Sequence, residues 1–199
     1  NGAGKSSTLM CIAGHCDLQA GQVFFEGEDI SRIPVTERVR KGLAISPEGR
    51  RLFKDLSVED NLRVGGVIHP TSFYAKDRER VLTLFPRLGE RLNSLAGNLS
   101  GGEQQMLAIG RALMTRPKLI MIDELSLGLM PKVIDQCYQA LKLLRSEGMT
   151  VLLVEQNTER ALATADDVCV LESGATVWRG SAVDARNDPT LAAAYLGLH

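Results

Sequence analysis

Residues 119–124 read Leu-Ile-Met-Ile-Asp-Glu, four apolar side chains followed by two acids. The apolar run is strand-sized and does not alternate with polar residues, the pattern of a strand covered on both faces, as in a parallel sheet between helices. Its two acids fall at the carboxyl end, where open parallel sheets bind their ligands. Outward from this stretch, Val151-Leu152-Leu153-Val154 predicts a second such strand at 150–155, and residues 168–171 a third. Helices are expected between them at 102–114, 131–147 and 157–165. The 131–147 helix repeats Val133, Ile134, Cys137, Ala140, Leu141 and Leu144 along one side, which is its packing face. Strands alternating with helices in this way define an α/β chain with a parallel sheet.

The first half carries a second deciding stretch. Asn1-Gly2-Ala3-Gly4-Lys5-Ser6-Ser7 is the latter part of a G-x-x-x-x-G-K-[ST] phosphate loop, followed by a helix expected at 5–13. Such a loop normally follows a buried strand, which is expected upstream of Asn1. A short strand at 22–25, a polar helix at 35–41 and a strand at 43–45 lead into the loop Ser46-Pro47-Glu48-Gly49-Arg50. Ser57, with Asp60 three residues on, predicts a helix start, and that helix runs to about residue 65. From 71 to 92 the leucine-spaced, charged sequence predicts a helical lobe. Ser173-Gly174 reads as a turn between two short strands, and 189–198 as a closing helix. The fold class is therefore α/β: a phosphate-loop NTPase-type parallel sheet flanked by helices, with a helical subdomain and short peripheral strands.

With 199 residues, 44% of them hydrophobic, the chain is long enough for one sizeable core. Its net charge of -1 gives no reason to expect nucleic acid or an anionic membrane surface as partner. No apolar run approaches the ~20 residues that span a bilayer. Cys11, Cys16, Cys137 and Cys169 lack the close pairing of a zinc site and are expected as reduced thiols. His15, His69 and His199 lack metal-ligand spacing and read as surface residues.

The chemistry expected of the phosphate loop follows from its residue types. Glycines let the backbone close on phosphates, Lys5 neutralises the outer ones, and the Ser6 hydroxyl holds Mg2+. After the 119–122 strand, Asp123 is the second Mg2+ group and Glu124 the acid that polarises an attacking water. A further phosphate device lies at 99–105, Leu-Ser-Gly-Gly-Glu-Gln-Gln, where a serine and two glycines open a helix whose first N–H groups are free for an anion. One nucleotide does not need two such devices from one chain, which points to a site shared between subunits.

Together these stretches resemble the ATP-binding cassette ATPases, over essentially the whole chain. Ser100, Gly101, Gly102, Glu103 and Gln104 are similar to that family's signature, which implies contact with the nucleotide held by the opposite subunit of a head-to-tail dimer. Residues 46–51, 101–113, 126–129 and 154–157 resemble, more narrowly, the smaller of two ATPases in importers of branched-chain amino acids. The resemblance implies ATP hydrolysis with Mg2+, a second ATPase subunit, two transmembrane permeases fed by a periplasmic binding protein, and a place on the cytoplasmic face of the inner membrane. It also implies one ATPase domain over 1–199, with a helical subdomain at about 65–115 and with the strand before the phosphate loop and the adenine-stacking aromatic lying upstream of Asn1.

Three positions depart from the general pattern. Glu48 stands where most members have a glutamine that senses Mg2+ and the membrane subunit, and Gln156 where most have a histidine switch. Gln156 donates a hydrogen bond but cannot become cationic. Leu125 stands where the subfamily usually has proline, and is expected to be a packing substitution. Two further readings stay open: a catalytically weak subunit that completes a partner's site, and the equivalent subunit of a urea or short-amide importer. Arg50-Arg51 reads as a solvated pair, with Phe53 and Leu56 giving the same loop an apolar, partner-facing side.

Overall fold

The acid-tipped strand lies in the middle of a three-stranded parallel sheet. In the structure, a computed structural model that describes residues 2–191, the order of elements is α1 (Lys5–Ala13), β1 (Phe24–Phe25), β2 (Glu28–Asp29), α2 (Val35–Lys41), β3 (Leu43–Ser46), α3 (Val58–Gly65), α4 (Tyr74–Leu84), α5 (Pro86–Gly89), α6 (Gly101–Leu113), β4 (Leu119–Asp123), α7 (Pro131–Ser146), β5 (Thr150–Val154), α8 (Thr158–Thr164), β6 (Asp167–Glu172), β7 (Ala175–Ser181), α9 (Ala182–Asn187) and α10 (Pro189–Leu191). The sheet order is β3-β4-β5, with Leu43 opposite Leu119 and Asp123 opposite Val154.

Alternation along β3 and β4 separates two cores. Leu43, Ile45, Leu119 and Met121 pack with Leu9 and Ala13 of α1, whereas Ala44, Ile120 and Ile122 pack with α3, α6 and α7. Helices α1 and α6 therefore cover opposite faces of the sheet. Val81, Phe85 and Leu88 of the helical lobe belong to the α6 core. Where α3 crosses α6, a Cβ at Gly65 would lie 2.3 Å from the Arg111 carbonyl oxygen, so only glycine permits the approach.

Local signals explain several boundaries. The Ser57 hydroxyl accepts the Asp60 N–H at 3.0 Å and starts α3. The lobe at 71–92 divides into a short 3₁₀ turn at Thr71–Phe73, α4 and α5, because Pro86 has no N–H to continue α4. The 131–147 face packs as expected, with the addition of Tyr138.

Three elements differ from expectation. Only Phe24–Phe25 of the 22–25 strand forms, in a hairpin with β2 whose turn residues Glu26 and Gly27 have φ of 51° and 81°. Strand β5 is not buried on both faces: among the described residues it pairs only with β4, and Leu152 is 37% exposed. Strand β6 does not join the parallel sheet but pairs antiparallel with β7, packed on α8 and α9 around Leu162, Ala182 and Ala185. Residues 192–198 of the expected closing helix, and His199, lie outside the described residues. Among those described, no helix is long and apolar enough to cross a membrane.

Candidate functional site

The phosphate loop turns into α1 at Gly4, which caps the helix in the left-handed region with φ of 86°. No acid occupies the first turn of α1, so its first N–H groups and Lys5 can receive an anion without a competing carboxylate. At the other end of α1, Arg38 from α2 is only 4% exposed, and its guanidinium donates to the carbonyls of Cys11 (2.9 Å), Ile12 (2.7 Å), Ser31 (3.0 Å) and Ile33 (2.8 Å). A buried cation thus satisfies the helix C-terminus and fixes the helix that carries the loop. The Gly174 N–H of the β6–β7 turn reaches the Ala3 carbonyl at 3.2 Å. Asn1 lies outside the described residues.

Asp123 at the end of β4 shares the side of Leu119 and Met121, the face on which α1 packs. It is 1% exposed, and neither carboxylate oxygen has a hydrogen-bond partner. A buried carboxylate left this way is costly unless a cation meets it. Ser6, the other residue expected to hold Mg2+, stands at the start of α1, the helix on that face, and a hydroxyl and a carboxylate are oxygen donors of the kind Mg2+ takes; the described residues contain no cluster of three or more His, Cys, Asp or Glu. Glu48 is exposed in its loop and bonds to none of these groups.

Glu124 follows with φ of 54°, unusual for a side chain with a Cβ, and its N–H is held by the Val154 carbonyl at 3.0 Å. The Gln156 Nε2 donates to Glu124 Oε1 at 2.8 Å, so the two residues expected to act on the terminal phosphate are in contact. Leu125 is fully buried beside them, in the α6 core, and is a packing residue as expected.

At the start of α6 the Ser100 hydroxyl accepts the Glu103 N–H at 3.3 Å, and the Glu103 carboxylate accepts the Ser100 N–H at 2.9 Å. This capping box leaves the Gly101 and Gly102 N–H groups as the donors for an anion. Burial raises the Glu103 carboxyl, but the Ser100 hydrogen bonds, with Arg91 and Arg87, outweigh it and hold the group below its ordinary range. Gly102 has a packing reason too, since a Cβ there would lie 2.6 Å from Val133. Gln104 donates to the Ala96 and Leu99 carbonyls, both at 3.2 Å.

The chain matches the ABC transporter family model over residues 1–126. It belongs to the ABC transporter family. A Pseudomonas aeruginosa protein described as the high-affinity branched-chain amino acid transport ATP-binding protein BraG is 48% identical over 197 residues, covering 99% of this chain and 84% of that protein. A probable branched-chain amino acid transport ATP-binding protein, LivF of Archaeoglobus fulgidus, is 37% identical over 92% of this chain and 78% of its own length. Among solved structures, an ATP-binding cassette of an ABC transporter in its ADP conformation superposes with a TM-score of 0.80 at 26% identity, covering 99% of this chain and 85% of that one. The chain is an ABC ATPase, and its nucleotide is ATP.

Sequence reasoning missed three features of this cassette. Arg38 was hidden in a helix read as polar. Of the Arg50-Arg51 pair, read as solvated, Arg51 is exposed as expected, but Arg50 turns onto Gln104 and Gln105 and the loop is fastened to α6: Gly49, Arg50 and Arg51 all have positive φ, and Arg111 donates to the Arg51 carbonyl at 2.8 Å and stacks on Phe53 at 5.2 Å. Phe53 and Leu56 remain exposed, as expected of a partner-facing loop. His69 is not a free surface residue, because its Nε2 meets the Thr115 carbonyl at 2.8 Å beyond α6.

Proposed function

We propose that this cassette is the ATP-hydrolysing subunit of an importer for branched-chain amino acids, and that it works as one half of a head-to-tail nucleotide sandwich. The observation that carries the sandwich is the placement of α1 and α6 on opposite faces of one sheet, which supports two phosphate devices serving two different nucleotides. The branched-chain assignment is supported by the relatives at 48% and 37% identity.

In this reading Asn1 to Ser7 cradle the phosphates, with Lys5 on the outer ones, and Ser6 and Asp123 hold Mg2+, with Glu48 approaching from its loop. When bound, Mg2+ neutralises charge that develops on the phosphates. Glu124 orients the attacking water and takes its proton, while the Gln156 amide holds the Glu124 carboxylate in place. Ser100, Gly101, Gly102, Glu103 and Gln104 close over the nucleotide of a second ATPase subunit. ATP stabilises the closed pair and hydrolysis releases it. Two permeases, fed by a periplasmic binding protein, hold the cassette at the cytoplasmic face of the membrane, with Phe53 and Leu56 on the docking side; the helical subdomain at about 65–115 moves with the signature.

A second reading is favoured by the Gln156–Glu124 bond: an amide cannot take up a proton as an imidazole does, so this chain's own site turns over slowly and its signature serves the partner. Separate substitutions decide, read as ATP hydrolysis by the assembled transporter. Loss in Lys5→Ala at least as deep as in Ser100→Arg supports full activity here; loss only in Ser100→Arg supports the second reading. Uptake of leucine, isoleucine and valine against urea and short amides tests the solute.

A further inference from the structure

We propose that Glu155 is a positioning residue for hydrolysis, which locks the loop carrying Glu124 to the loop carrying Gln156. The proposal rests on the assignment of Glu124 and Gln156 to hydrolysis. Strands β4 and β5 run parallel in register, so their carboxyl-terminal loops emerge side by side, Asp123 opposite Val154. Beyond that pair the backbone ladder ends with the Glu124 N–H on the Val154 carbonyl.

From there the Glu155 side chain takes over. Its carboxylate accepts the Ser126 N–H at 2.8 Å, the Ser126 hydroxyl at 2.7 Å and the N–H of Gln156 at 3.2 Å. One carboxylate thus joins the residue two after Glu124 to the residue that bonds Glu124. Charge-assisted bonds of this length fix geometry more firmly than neutral ones. The Tyr138 hydroxyl of α7 is buried without a hydrogen-bond partner, and burial first, with the Glu155 charge second, pushes its phenol above the ordinary range.

The lock has a mechanical reason. Glu124 holds φ of 54°, a conformation a non-glycine residue keeps only where its surroundings over-determine it. Buried Leu125 anchors the chain on one side of Glu124's peptide and the Ser126–Glu155 contact anchors it next in line. Without the Glu155 carboxylate the loop after β4 relaxes, and Glu124 and Gln156 lose their common register while the phosphate loop stays as it is.

The test is ATP hydrolysis by the assembled transporter carrying Glu155→Ala, Glu155→Asp, Glu155→Gln, Ser126→Ala and the double variant Glu155→Ala with Ser126→Ala. A misplacement of this kind lowers kcat about tenfold or more, while KM for ATP stays within about twofold. Glu155→Asp, one methylene short, behaves like Glu155→Ala; Glu155→Gln still accepts the Ser126 N–H and donates to its hydroxyl but loses the Gln156 N–H, and so restores only part of kcat, above Glu155→Asp. The double variant is no worse than Glu155→Ala alone, because one contact is lost once. Unchanged kcat in Glu155→Asp and Glu155→Ala, no difference between Gln and Asp, or losses that multiply in the double variant overturn the proposal. Glu124→Gln in the same assay separates the two levels: if it too retains full kcat, the underlying site assignment fails and the proposal with it; if it abolishes hydrolysis while the Glu155 variants do not, only the lock fails.

Discussion

Glu124, the proposed base, stands next to the unpartnered Asp123 carboxylate, takes the Gln156 amide and holds a φ of 54°. Replacing it with glutamine keeps shape and removes the base, so hydrolysis by the assembled complex falls by about 10²-fold or more while ATP remains bound and the closed dimer accumulates; size-exclusion chromatography with ATP reads the dimer. Leu125 next to it is fully buried. Leu125→Ala leaves a cavity and is expected to lower unfolding stability by about 2–5 kcal/mol, measured by urea denaturation. The acids after β4 were legible in the sequence because an apolar strand leads into them. Glu155 was legible in principle by the same signal, an acid directly after an apolar strand, but its task depends on Ser126, 29 residues away, which only the register of β4 and β5 brings within reach.

Among the elements, α1 and α6, whose N-termini are the proposed phosphate devices, are braced in different ways. The brace of α1 is Arg38, a buried guanidinium on four carbonyls. Arg38→Ala strips those acceptors and opens space, and is expected to cost about 3 kcal/mol in chemical denaturation, with ATP affinity falling as the phosphate loop loses its support. The brace of α6 is the Ser100–Glu103 box. Because Glu103 titrates below its ordinary range in the folded protein, its contribution is fully present above the unfolded-state carboxylate pKa and disappears as pH falls through the lower folded value. Native protein and Glu103→Gln therefore differ in stability at neutral pH and converge in acid, as thermal unfolding across pH reads out. Helix starts such as Ser57 and Ser100 were legible because capping is local. The turn at Ser173-Gly174 between β6 and β7 was legible as well, but the exclusion of β6 from the parallel sheet, the β1–β2 hairpin and the left-handed run at 49–51 were not, since the hairpin and the run need positive φ at residues that carry a Cβ, Glu26, Arg50 and Arg51.

For the whole molecule, the alternation of strands and helices in the second half was enough to place a parallel sheet, and the helical lobe was legible as leucine-spaced, charged sequence. Its sharing of one core with the sheet was not, because Val81, Phe85 and Leu88 carry no mark of which helix they meet. That shared core ties the signature at the start of α6 to the sheet, and Arg111 and Arg50 tie the Glu48 loop to the same helix. The sheet keeps α6 and α1 on opposite faces, and in the proposed sandwich the two phosphate devices address different nucleotides. The most direct measurement is the affinity of the unassembled full-length subunit for ATP in Ser100→Arg and Lys5→Ala. Affinity within about twofold of native in Ser100→Arg, with loss of about tenfold or more in Lys5→Ala, is the expected result. Equal loss in both would put the signature on the subunit's own nucleotide and contradict the account.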